Sequence, residues 1–232
     1  MTTKKQIKDL LKPIMASNPD IVISGTPIGQ LFFLTPIRHM ICGMYFQPSR
    51  VAVYCYPTIF YTETCANMYL PAITSCNRIQ FPGYAALRWD RPDFIGLLQA
   101  RLETEIIPKL RELSALPAYV RHQYNTIENK HLQPFRFLTS LPAIIASGDL
   151  DFATLIYREV FEHMDWQKVE SYPIYRGEIE WHRGFKVLFE PLLNRDIPKL
   201  VTILRDFERE SITKSGYEKY WENAPFPLEE QL

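Results

Sequence analysis

The 232-residue sequence predicts an α+β protein, an antiparallel β-meander with a long covering helix followed by an α-helical half of helical hairpins. Three observations predict it. Between Ile21 and Leu87 the only charged residues are Arg38, Arg50, Glu63 and Arg78, far fewer than a solvated segment of that length carries. Within that segment, short runs rich in Val, Ile, Phe and Tyr are separated by turn clusters of Gly, Pro and Ser, the pattern of strands and tight turns. From Ala118 onward the apolar residues recur at helical spacing instead.

The elements follow in order. Met1 to Ile14 interleaves four lysines with Ile7, Leu10, Leu11 and Ile14, an amphipathic helix without the continuous apolar stretch or small-residue cleavage site of a secretory signal. It is read as the first helix of the fold, and cytoplasmic residence is the expectation. Strands are predicted at Ile21 to Ser24, Gln30 to Thr35, His39 to Gln47 and Val51 to Tyr61. A two-residue loop at Pro48 and Ser49 sets Phe46 opposite Val51, Met44 opposite Val53 and Cys42 opposite Cys55. One face of that hairpin is then Met, Cys, Val and Phe. The other holds Ile41, Gly43, Tyr45, Ala52, Tyr54 and Tyr56, with Phe32 and Leu34 added if Ile37 and Arg38 form an equally tight loop. A sheet apolar on both faces needs cover on both.

A loop region over Thr62 to Pro82 precedes a last strand, Tyr84 to Asp90. Pro92 to Leu113 is predicted as a long helix whose stripe of Phe94, Leu97, Leu98, Leu102, Ile106 and Leu110 covers the Met/Cys/Val face. Pro108 kinks it, having no N–H for its upstream carbonyl. Two domains are expected, an α+β sheet domain over 1–115 and an α-helical domain or extension over 116–232, packed on the first. The first holds 12 basic and 8 acidic side chains, net +4, and the second 14 and 18, net −4.

In the second half, Leu150, Ala153, Tyr157, Val160, Phe161 and Met164 form one stripe and Ile197, Leu200, Val201, Leu204 and Phe207 another. A shift of 47 residues superposes Leu141 on Leu188, Ile145 on Leu192, Asp149 on Asp196, Leu150 on Ile197 and Ile156 on Ile203. Two hairpins are predicted, each with an Asp capping its second helix, whether by internal similarity or by the shared grammar of helix, turn and helix. Tyr217 to Leu232, with Pro225 and Pro227, is expected to fray.

Several chemistries lack their residues. The formal charge is zero, so no general basic field gathers nucleic acid or anionic lipid. No run reaches the roughly 18 to 20 apolar residues of a membrane-spanning helix. Cys42, Cys55, Cys65 and Cys76 contain no C-x-x-C and have no histidine at ligand spacing, so they read as reduced core thiols rather than a zinc site. Ser24 to Gly29 lacks the Gly-Lys-Ser/Thr ending of a phosphate loop and is followed by a strand. No histidine or serine signature is present, and Glu178 with His182 is an i,i+4 surface pair. No catalytic residue, metal or cofactor is expected.

What remains is a set of binding residues. Arg88-Trp89-Asp90-Arg91-Pro92-Asp93 sits where a strand turns into a helix, and Arg and Trp often dominate interface energetics. Tyr45, Tyr54 and Tyr56 are either core or an amphipathic docking surface. The candidate binding residues are therefore Tyr45, Tyr54, Tyr56, Arg88 and Trp89. The order of helix, strand meander, Arg-Trp-Asp and a long proline-containing helix over residues 1–115 resembles uncharacterised bacterial α+β domains of the polymorphic-toxin immunity protein type. That resemblance implies a protein partner and an immunity role. The leading expectation is a non-enzymatic protein-binding protein. The alternatives are a small-molecule-binding protein or enzyme with a pocket between sheet and helical half near Tyr54, Tyr56, Arg88 and Trp89, and a structural homo-oligomer.

Overall fold

The structure is a computed structural model describing residues 3–25, 30–46, 54–55, 57–64, 75–78, 87–88, 93–128, 134–162 and 184–232. The fold is α+β. Two compact units divide the chain: Met1–Thr62 with Ile73–Ser114, and Glu63–Ala72 with Ala115–Leu232.

The first unit opens with α1 (Lys4–Ser17). Thr3 caps it: its hydroxyl accepts from the Gln6 N–H at 3.1 Å while the Gln6 side chain accepts from the Thr3 N–H at 2.8 Å. The four predicted apolar positions, Ile7, Leu10, Leu11 and Ile14, are all buried. Strands follow at β1 (Ile21–Gly25), β2 (Gln30–Leu34), β3 (Met40–Phe46), β4 (Tyr54–Cys55), β5 (Pro57–Glu63), β6 (Ser75–Arg78) and β7 (Leu87–Arg88). A five-stranded sheet has the order β1-β2-β3-β5-β6, and β4 pairs with β7 in a separate two-stranded ribbon. Every residue of β2 and β3 is buried, as a two-sided apolar sheet requires.

Three expectations about the sheet are corrected. Phe32 faces Met44 and Phe33 faces Gly43, one residue away from the register of a two-residue Ile37–Arg38 loop. Because side chains alternate with period two, that step moves Phe32 and Leu34 to the Met44 face and leaves Leu31 and Phe33 with Tyr45. The wider turn is anchored at Thr35, whose N–H and hydroxyl both donate to the Asp20 carbonyl, at 2.6 and 3.1 Å. Next, Cys55 lies opposite Leu87, not Cys42, since β4 leaves the sheet and β5 takes the place beside β3. Finally, β6 falls inside the expected loop region and pairs antiparallel with β5, Phe60 opposite Cys76. The Pro48–Ser49 loop, the Thr26–Gly29 turn and the Glu178–His182 pair lie outside the described residues.

The covering helix runs as α2 (Phe94–Arg101), a π-helical turn (Leu102–Ile106) and α3 (Ile107–Leu113). Pro108 cannot donate to its upstream carbonyl, and the chain widens just before it: the Ile107 N–H reaches back five residues to the Leu102 carbonyl. Leu98, Leu102, Leu110 and Leu113 are buried, and the Cys42 thiol lies 3.5 Å from the Leu113 carbonyl. This helix therefore covers the Cys42 face of the sheet. The Gln99 side chain donates to the Leu10 carbonyl at 3.0 Å, tying α2 to α1.

The second unit contains α4 (Leu116–Glu128), α5 (Pro134–Ala146), α6 (Leu150–Ile156) running on as a π-helical turn (Tyr157–Glu162), α7 (Phe189–Leu193) entered through a 3-10 turn (Lys186–Leu188), and α8 (Ile197–Ser215). The 47-residue correspondence is present in the backbone. Asp149 accepts from the Phe152 N–H at 3.2 Å and Asp196 from the Lys199 N–H at 3.1 Å. Their predecessors, Gly148 and Arg195, are both left-handed, at φ 87° and 53°. The bonds Ser147 to Ala143, Gly148 to Ile145 and Leu150 to Gly148 recur as Asn194 to Glu190, Arg195 to Leu192 and Ile197 to Arg195. Leu141, Leu188, Ile145, Leu192, Ala153 and Leu200 are fully buried at matching positions. The hairpins α5–α6 and α7–α8 thus share one turn geometry and one capping scheme.

The C-terminus does not fray. Gly216 ends α8 in a left-handed cap, with the Tyr217 N–H reaching the Ile212 carbonyl at 3.2 Å. Beyond it, Tyr217, Phe226 and Leu228 are buried, and a 3-10 turn over Pro227–Gln231 packs against α5 and α8. The two prolines that suggested a loose tail fix the course of a seated one.

Candidate functional site

Of the five residues picked from sequence, the structure brings two together. Tyr54 lies directly opposite Arg88 in the β4–β7 ribbon, although they were chosen on separate grounds. Tyr45 is elsewhere, on β3 opposite Leu31. It does not share a hairpin face with Tyr54, as the expected register required. It is buried to 8% exposure, and this desolvation pushes its phenol above the ordinary tyrosine value. Tyr56 and Trp89 lie outside the described residues.

Two features of the second unit were missed. The first is on α6 and α7, which pack against each other. Tyr157 and Phe189 rings meet at 4.8 Å, and the Arg195 guanidinium pairs with Asp151. Leu155 on α6 is 52% exposed, Val187 in the 3-10 turn that enters α7 52%, and Leu193 at the end of α7 45%. On α2, Ile95 and Leu97 are also exposed, at 44% and 41%. Carboxylates stand on the same helices: Asp151 on α6, and Glu190 on α7, 3.8 Å from the Lys199 ammonium. The sequence carried a signal, because Leu155 falls off the stripe through Leu150, Ala153 and Tyr157.

The second feature is a polar network on α8. Glu208 is fully buried; it accepts from the Thr64 hydroxyl at 2.7 Å and from Arg205 at 3.1 Å. The other terminal guanidinium nitrogen of Arg205 pairs with Glu229, and its Cζ lies over the Phe226 ring, 4.2 Å from the centroid. Ser211, on the same face of α8, is buried with its hydroxyl unpartnered. No pattern of local spacing could reveal Glu208 as buried, since its Thr64 partner is 144 residues away.

Among the described residues, no group of three or more His, Cys, Asp and Glu could hold a metal ion, and no helix is long and apolar enough to cross a membrane. No protein-family model, curated protein or solved structure matches the chain.

Proposed function

We propose that the chain is a non-enzymatic protein-binding protein, with an immunity-type role as the resemblance of residues 1–115 implies, and that α6 and α7 carry its docking face. The observation that supports this reading is the exposure of Leu155 on α6, Leu193 on α7 and Val187 in the turn that enters α7, two helices that pack against each other. A partner that covers these aliphatic side chains removes apolar area from water at roughly 25 cal/mol per Å².

The test compares the tagged chain with its Leu155→Glu/Leu193→Glu variant in pull-downs from the native host, washed at low and high salt. Both positions face water, so the variant is expected to keep its helical circular dichroism. A near-stoichiometric partner should survive both washes on the wild type, because apolar contacts are little screened by salt, and should be lost from the variant. Retention of the same partner by the variant removes α6 and α7 from the interface and makes Tyr54 and Arg88 the next substitutions. Absence of any partner overturns the reading.

A further inference from the structure

We propose that the exposed lysine stripe of α1, formed by Lys4, Lys5, Lys8 and Lys12, is a peripheral docking face for an anionic lipid surface, engaged through charge and without insertion of the helix. The stripe belongs to the first unit, so the inference concerns a different surface from the docking face on α6 and α7 and stands without it.

Three observations carry it. The first is alignment. Lys4, Lys8 and Lys12 recur every four residues and Lys5 stands one position round from Lys4, so the four fall within an arc of roughly 100° and along about 12 Å of helix axis. All four are exposed. The buried stripe of Ile7, Leu10, Leu11 and Ile14 lies on another side and fixes the helix to the fold. With Asp9 as its one acidic residue, α1 carries a net charge of +3. Salt limits the reach of each charge to about 10 Å. An approaching surface therefore meets this local excess, and the neutral sum over the whole chain does not cancel it.

The second observation is that these cations have no carboxylate partners. In the same unit Arg101 pairs with Glu105, Lys109 with Glu112 and Arg111 with Asp20. None of the four α1 lysines forms an ion pair among the described residues, and Asp9, four positions after Lys5, forms none either.

The third is placement against the helix dipole. Lys4 and Lys5 occupy the first turn of α1, where the positive end of the dipole disfavours cations, and no acidic residue in that turn offsets them. The last turn, where a lysine stabilises a helix, holds no basic residue. A placement that weakens the helix and gains no ion pair is not explained by folding, and such departures from local preference are expected at functional positions.

The residue types select the occupant. A guanidinium reads phosphate or carboxylate in a fixed two-pronged geometry, and aromatic rings stack on nucleic-acid bases. The α1 sequence contains no arginine and no aromatic residue. Flexible ammonium groups on a convex helix suit headgroups that move sideways to meet them, and four or more lysines clustered on an amphipathic helix are a recurrent pattern of anionic-lipid binding.

The test is co-sedimentation of the full-length chain with vesicles of phosphatidylcholine alone and of phosphatidylcholine with an equal part of phosphatidylserine, at about 0.1 M and about 1 M salt. Binding is expected to the phosphatidylserine vesicles at the lower salt only. Lys8→Gln should weaken it about five-fold, and Lys4→Gln/Lys5→Gln/Lys8→Gln/Lys12→Gln at least about fifty-fold. Arginine at the same four positions should retain binding, and Lys109→Gln, which removes a lysine already paired with Glu112, should leave it unchanged. The glutamine variant is expected to keep its helical circular dichroism and to melt slightly higher, because its first turn loses two misplaced cations. Absence of binding to the phosphatidylserine vesicles overturns the inference, as does equal binding by the glutamine variant. Binding that survives about 1 M salt overturns it, and so does capture of a single-stranded oligonucleotide in place of the vesicles.

Discussion

Gly43 shows how much one missing methyl group decides. A Cβ there would lie 2.3 Å from the Phe32 carbonyl oxygen and 2.7 Å from the Phe33 Cβ, both fixed by the β2–β3 ladder. Gly43→Ala forces the strands apart and is expected to cost about 1–3 kcal/mol or more in urea unfolding. Gly96, in α2, has nothing within 4 Å of its virtual Cβ. Gly96→Ala should therefore stabilise by up to about 1 kcal/mol through helix propensity, and equal signs for the two changes would contradict this packing. The sequence put Gly43 on the face of Tyr45, and that is where it lies. What it could not supply was the neighbour: Phe33, not Phe32, stands opposite, because the turn spans one residue more than the tightest loop. Thr64 and Glu208 teach the same lesson at longer range. Thr64→Val removes the buried donor from a carboxylate with no access to water, and about 1–3 kcal/mol of stability should go with it.

At the scale of elements, what is set locally was readable and what is set by distant pairing was not. The hairpins α5–α6 and α7–α8 were legible because an aspartate at the helix start and an apolar stripe after it act within a few residues. The caps predict their own test. Asp196→Ala is expected to lower stability by about 1 kcal/mol, the usual worth of an N-cap. Asp149→Ala should cost more, because Asp149 also accepts from the Tyr124 hydroxyl at 3.1 Å while the Tyr124 and Phe152 rings meet at 3.9 Å. Equal losses in thermal melts would show that the tyrosine bond contributes nothing. The sheet was legible in its composition and its first helix cover, and illegible in its order. Nothing near Cys55 announces that β4 pairs with Leu87 while β5 moves in beside β3. The C-terminal turn escaped for a related reason: Pro225 and Pro227 look like a loose end until Arg205 and the buried Phe226 and Leu228 are seen together.

For the molecule as a whole, the ionisable groups that bind its elements set the pH limits of its stability. In the first unit, Arg111 donates to both Asp20 oxygens at 2.9 and 2.7 Å and to Asn18 at 2.7 Å, joining α3 to the start of β1. That hydrogen bonding holds the Asp20 carboxyl below its ordinary value of 3.8. The unfolded chain consequently takes up the proton first: the pair's contribution is present above that value and is lost as pH falls through the lowered one. At the other extreme, burial raises Tyr45 in the first unit, and burial with the neighbouring Asp149 charge raises Tyr124 in the second. Unfolded phenols ionise near pH 10, so stability should fall as pH climbs past that value. Urea midpoints at about pH 2.5, 7 and 10.5 separate the contributions. Asp20→Asn should sit about 0.5–1 kcal/mol below wild type at neutral pH, a modest figure because both partners are part-exposed, and converge with it in acid. Tyr124→Phe should lose its hydrogen bond at every pH below 10 and decline less steeply than wild type above it, since it has no phenol to ionise. A constant gap between Asp20→Asn and wild type from neutral to acid would mean that the Arg111 bond does not lower the Asp20 carboxyl, and the acid limit would then belong to other groups.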